Sequence, residues 1–139
     1  MTRVDFYLLE NGAAGEKELA VCKLANKAFG LGHRIYILTA DEAQARRLDQ
    51  LLWTFSAGSF VPHALSGTDA DCPVLIGHDE PPATCEDVLV TLATEVPGCF
   101  SRFQRVAEVV GSDEEQKRLA RERFRFYRDR GCAPQSHTL

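Results

Sequence analysis

Short apolar runs alternate with longer stretches of helical spacing through the first half of this chain. "RVDFYLL" (3–9) gathers Val, Phe, Tyr and Leu and predicts a strand. The polar loop "ENGAAG" follows. "EKELAVCKLANKAFG" then sets Leu19, Val21, Cys22, Leu24, Ala25, Ala28 and Phe29 at helical spacing, with Gly30 and Gly32 expected to stop the helix. "RIYILT" (34–39) predicts a second strand. Asp41 is placed to cap a second helix, "DEAQARRLDQLLW", whose Ala45, Leu48, Leu51 and Leu52 face inward. This strand-helix-strand-helix opening predicts an α/β fold, with a mostly parallel sheet flanked by helices.

Residues 53–73 are rich in Ser, Gly, Pro and Asp and are expected to be irregular. "CPVLIG" (72–77) and "DVLVTLA" (87–93) predict two more strands, divided by the acidic turn "HDEPPATCE", and "FQRVAEVVG" (103–111) predicts the last one. A final helix follows. Ser112 with Glu115 forms a capping-box pattern, Asp113 and Glu114 suit the positive helix N-terminus, and Gly131 and Pro134 end it. The tail beyond, with His137, is expected to fray. No repeat, low-complexity tract or linker divides the chain, which reads as one domain over 1–139.

A chain of 139 residues with 45% hydrophobic content is long enough to bury a core. No run approaches the roughly 20 apolar residues of a membrane span, and "MTRVDFYLLENG" meets acid and Gly too soon for a secretory signal. A cytoplasmic protein without membrane contact is expected. The five cysteines form no C-x-x-C pair, which suits free thiols in a reducing compartment. His63, Cys72, His78 and Cys85 fall close together, but gaps of eight, five and six residues are not zinc spacing, so no metal is expected.

The search for a catalytic or nucleotide site finds nothing to build on. After the first strand, "ENGAAGEKE" is neither G-x-G-x-x-G nor G-x-x-x-x-G-K-[ST], so no nucleotide-binding loop is present. "GLGHR" ends a helix and enters a strand, the reverse of the order that phosphate binding needs. There is no G-x-S-x-G elbow, and the four histidines are scattered. With no catalytic residues and no cofactor to place, the expected function is binding.

Charge changes the picture at one place. Residues 1–100 carry 7 basic and 14 acidic groups, whereas residues 101–139 carry 9 and 6, within a total of −4. Seven of the sixteen residues of "QKRLARERFRFYRDRG" (116–131) are cations. At roughly 100° per residue, Lys117, Arg118, Arg121, Arg125 and Arg128 share one arc. Leu119, Ala120, Phe126 and Tyr127 face the sheet, and Phe124 lies at the stripe's edge. Arg123 points toward the apolar side, where its stem would lie along neighbours with the head in water. Glu is nearly absent from the stripe, so its cations are expected to be unpaired. A solvated helix face is one outcome. Single-stranded DNA stacked on Phe124 and Tyr127 is another. A third is an acidic peptide ending in an apolar side chain. A second surface is expected at "LLWTFSAGSFVPH" (51–63), where Trp53, Phe55, Phe60, Val61 and Pro62 crowd a short turn and cannot all face inward.

Taken together, "FYLL", "DEAQARRLDQLLW" followed by "SFVPHALSG", and "LARERFRFYR" resemble the chi subunits of bacterial DNA polymerase III, in an order covering nearly the whole chain. The resemblance implies a Rossmann-like fold without catalytic activity. It also implies an accessory role at the clamp loader in DNA replication, joining the psi subunit to the acidic, Phe-terminated tail of single-stranded DNA-binding protein. Trp53, Phe60, Val61 and Pro62 would then face psi. Lys117, Arg121, Phe124 and Arg125 would take the tail, with Val110 and Tyr127 lining its apolar pocket. Contact with DNA would be weak or indirect, and direct single-stranded DNA binding by the basic helix is the alternative.

Overall fold

The computed structural model describes residues 2–138 apart from Asn11, Ala14 and Ser59. Its elements are β1 (Arg3–Leu8), α1 (Glu16–Gly30), β2 (Ile35–Leu38), α2 (Glu42–Thr54), β3 (His63–Leu65) and β4 (Val74–Gly77). They continue with β5 (Val88–Thr91), a 3-10 turn (Phe100–Arg102), β6 (Arg105–Val110), α3 (Glu114–Asp129) and β7 (Gln135–Thr138). The seven strands form one sheet in the order β3-β4-β2-β5-β6-β1-β7, and every pairing is parallel. The fold is α/β and Rossmann-like, with helices on both faces.

Handedness explains the layering. The β1-α1-β2 and β2-α2-β3 connections run one way across the sheet, while β6-α3-β7 runs the other. Right-handed crossovers therefore put α1 and α2 on one face and α3 on the opposite one. Strand alternation follows. Ile35, Ile37, Val74, Ile76, Val88 and Val90 bury toward α1 and α2, where they meet Val21, Ala25, Leu48 and Leu52. Val4, Phe6, Tyr36, Leu89, Val106 and Val110 bury on the other face with Ala120 and Tyr127 of α3.

Local chemistry sets the boundaries. Asp41 caps α2 as expected, its Oδ1 accepting from Gln44 N at 2.8 Å. Gly30 is still helical, and the chain turns at Gly32, which has φ +89° and donates its N–H to Phe29 O. Gly77 is held for a different reason: a Cβ there would overlap the Tyr36 hydroxyl.

Two strands lie where irregular chain was expected. β3 falls inside residues 53–73 and pairs His63, Ala64 and Leu65 with Val74, Leu75 and Ile76. β7 replaces the frayed tail, pairing Asp5–Leu8 of β1 with Gln135–Thr138. Its sequence, "QSHT", has no strand periodicity. The open edge of β1 supplies the hydrogen bonds, and His137 Nε2 lies 2.9 Å from Asp5 Oδ1. Strand β6 is thus not the last. Asn11 and Ala14 of the expected loop and Ser59 of the Ser/Gly turn lie outside the described residues.

Candidate functional site: a basic helix and an aromatic patch

The start of α3 differs from the capping box that Ser112 and Glu115 suggest. Asp113 is the cap, its Oδ1 accepting from Gln116 N at 2.7 Å, and Gln116 Oε1 accepts in return from Gly111 N at 2.9 Å. Asp outranks Ser here because its position leaves the carboxylate over the free N–H of the third helical residue. Glu115 is thereby released to pair with Arg118 at 2.6 Å.

The basic stripe is consequently not uniform. Arg118 is bound by both Glu115 and Glu122, Arg128 meets Asp129 at 3.5 Å, and Arg130 lies over the Phe126 ring at 4.1 Å. Lys117, Arg121 and Arg125 have no carboxylate within 4.0 Å among the described residues. One helical turn apart, 117, 121 and 125 lie on a single face. Phe124 stands beside them half-buried, its ring centroid 5.4 Å from that of Phe6. It is therefore a fixed apolar wall backed by the core.

Three of the sequence-derived site residues lie within the core. Val110 is 1% exposed, Tyr127 is wholly buried, and Val61 packs beneath α2. A valine on an inward strand position, or a tyrosine on the sheet-facing arc of a helix, buries too much apolar area to stay in water. They support the two surfaces from below and are not accessible on them.

Arg123 does not reach water either. Its Nε donates to Glu108 Oε1 at 3.0 Å and its Nη1 to Thr94 O at 2.8 Å, while Tyr127 Oη donates to Glu108 Oε2 at 2.8 Å. This buried set, invisible as a unit in the sequence, had one signal: a lone Glu on the inward face of "RVAEVV" and a lone Arg on the apolar arc of the helix. Burial pushes the Glu108 carboxyl up to about 7, with Arg123 and Tyr127 opposing it. Burial and the nearby Glu108 also raise the Tyr127 hydroxyl.

The second surface forms where α2 ends at the β3 edge of the sheet. Trp53 is 50% and Phe60 66% exposed, with ring centroids 5.8 Å apart. Pro62 and Phe55 are half-buried. Trp53 also leans on His63, at 4.2 Å between rings. Buried His63 sets Nδ1 2.7 Å from Val61 O and Nε2 2.8 Å from Asp49 O, so both ring nitrogens are engaged by backbone. The patch and α3 lie on opposite faces of the sheet and toward opposite edges.

No three His, Cys, Asp or Glu side chains converge for a metal among the described residues. Burial raises the thiols of Cys22 (to about 12), Cys72, Cys85 and Cys99, disfavouring the nucleophilic thiolate. No described helix is long and apolar enough to cross a membrane.

The family model described as DNA polymerase III chi subunit, HolC, matches residues 1–135. The DNA polymerase III subunit chi of Pseudomonas aeruginosa is 42% identical over 139 residues, covering all of this chain and 98% of that protein. Its counterpart in Escherichia coli K12 is 36% identical, over 94% of each chain. That of Haemophilus influenzae is 31% identical, over 91% of this chain and 90% of its own. The chain belongs to the DNA polymerase III chi subunit family, and its role is in DNA replication.

Proposed function

We propose that this protein is a non-catalytic adaptor that ties the clamp loader to single-stranded DNA coated by its binding protein. Trp53, Phe60 and Pro62 dock the psi subunit. Lys117, Arg121 and Arg125 take the carboxylates of the binding protein's acidic tail, and its terminal Phe packs on Phe124. The observation that carries this reading is the set of three cations with no carboxylate within 4.0 Å among the described residues, beside a half-buried Phe124, within a chain of net charge −4. Bare phosphate would need the cations but not the apolar wall. Placement on opposite faces lets both partners bind together.

Fluorescence anisotropy with a labelled acidic peptide ending in Phe tests the proposal. Arg121→Ala removes one charge-assisted contact of about 1.5–3 kcal/mol, so affinity falls about tenfold or more while psi binding is unchanged. Equal affinity of variant and wild type for that peptide rejects it. In the same assay, a short labelled oligonucleotide binds weakly at physiological salt. Tight binding would favour direct contact with single-stranded DNA instead.

A further inference from the structure

A groove of about 770 Å³ runs between α1 and β1, on the face of the sheet opposite α3. Parallel sheets are ordinarily covered on both faces by helices. Here α1 and α2 cover the strands from β3 to β6, and among the described residues no helix lies on the same face over β1. The floor is correspondingly apolar and only half covered: Tyr7 and Ala107 from the sheet, Leu19 and Leu24 from α1. At the rim stands Leu31, 68% exposed, the most exposed large apolar side chain among the described residues. Neither the Trp53 patch nor α3 accounts for it.

The rim is cationic. Arg3 and Arg105 share a single buried carboxylate, Asp5, at 3.3 and 3.4 Å, and that carboxylate also holds His137. One negative charge thus faces two guanidiniums. Lys23 and Lys27, a turn apart on α1, are exposed, with no carboxylate within 4.0 Å among the described residues. Glu16 of α1 adds a second carboxylate to the lining, so Arg3, Lys23, Lys27 and Arg105 outnumber Asp5 and Glu16 and the groove is net positive within an acidic chain.

We propose that this groove is a third docking site, which receives an acidic amphipathic helix from another protein. A helix about 10 Å across fits beside α1 at the usual 8–10 Å interaxial spacing and would complete the missing layer. Its apolar stripe covers Tyr7, Leu24 and Leu31, and Glu or Asp on its flanks meets Arg3, Lys23, Lys27 and Arg105. Charge complementarity selects the partner.

The probe is a synthetic helix of roughly four turns with Leu at helical spacing and Glu elsewhere, compared with a scrambled peptide of the same composition. Amide NMR spectra of the full chain should shift at Tyr7, Lys23, Leu31 and Ala107 with the amphipathic peptide and remain unmoved with the scrambled one. Lys23→Glu combined with Lys27→Glu should weaken binding about tenfold or more. Leu31→Ser should weaken it without moving the salt dependence. These variants keep their affinity for the Phe-terminated acidic peptide and for psi, so this proposal and the adaptor reading fail separately. Shifts confined to α3, equal effects of both peptides, or no shift at all would overturn it. So would self-association through the groove, or an oligonucleotide that shifts the groove amides in place of the peptide.

Discussion

Glu108 and Arg123 meet at 3.0 Å with both side chains out of water, joining the middle of the sheet to the basic helix. One arginine of the cationic helix is thus turned inward, away from the face that the helix offers to solvent. Above pH 7, where Glu108 is ionised, removing either member leaves a buried charge alone, which costs about 3–5 kcal/mol, whereas replacing both by apolar side chains is far less damaging. Urea denaturation should therefore show a large loss for Arg123→Leu and recovery of most of it in Glu108→Leu/Arg123→Leu. Additive losses would mean that the pair is not coupled.

The same carboxyl gives stability a pH dependence of definite sign. Its ordinary value of 4.5 rises to about 7 in the fold, chiefly because burial disfavours the charged form. The folded chain keeps a proton that the unfolded chain releases, so this contribution is complete below 4.5 and is lost as pH rises through 7. Exposed Glu42 and Glu115, drawn down by hydrogen bonds from Arg46 and Arg118, slope the other way. The difference between wild type and Glu108→Gln isolates the effect. Wild-type stability should fall relative to the variant over that pH window. Parallel curves would refute it.

The start of α3 offers a local test. Asp113→Ala should lower stability by about 1 kcal/mol, because the Gln116 N–H loses its acceptor. Ser112→Ala should stay within about 0.5 kcal/mol. Thermal melts of the two variants separate the observed cap from the Ser112–Glu115 box.

At the aromatic patch, exposure predicts which substitutions touch binding alone. Phe60→Ala should weaken psi binding about tenfold or more with little change in stability, since the ring stands mostly in solvent. Val61→Ala should instead cost about 2 kcal/mol of folding free energy, because its methyl groups are buried. Calorimetry of folding and of psi binding distinguishes the two effects.

Salt provides a further check on the tail site. Lys117, Arg121 and Arg125 are exposed or half-exposed, so the affinity for an acidic peptide should fall steadily as ionic strength rises. An affinity unchanged between low and physiological salt would leave Phe124 as the only anchor.

Periodicity alone determined the early architecture. "RVDFYLL", "RIYILT" and the two helices between and after them read correctly, because each buries a face whose spacing is fixed by its own geometry. The family resemblance was legible because its blocks follow in order along nearly the whole chain, the span that the family model also matches. Neither β3 nor β7 could be read this way. Each is a short edge strand whose hydrogen bonds come from a neighbour distant in sequence, Val74–Ile76 for one and Asp5–Leu8 for the other.

The candidate sites divide along the same line. A helical wheel finds the cationic stripe and the edge position of Phe124, since both follow from 3.6 residues per turn. The pairing of Arg118 with Glu115 and Glu122 follows the i,i+3 and i,i+4 spacing of one helix. Only the tertiary structure decides that Arg123 belongs to Glu108 and that Lys117, Arg121 and Arg125 meet no carboxylate within 4.0 Å among the described residues. It likewise decides that Val61, Val110 and Tyr127 are buried while Trp53 and Phe60 are not. Sequence spacing determines which side chains share a face. Which faces meet, and therefore which side chains are buried and which inward charge finds a partner, depends on contacts between residues far apart in the chain.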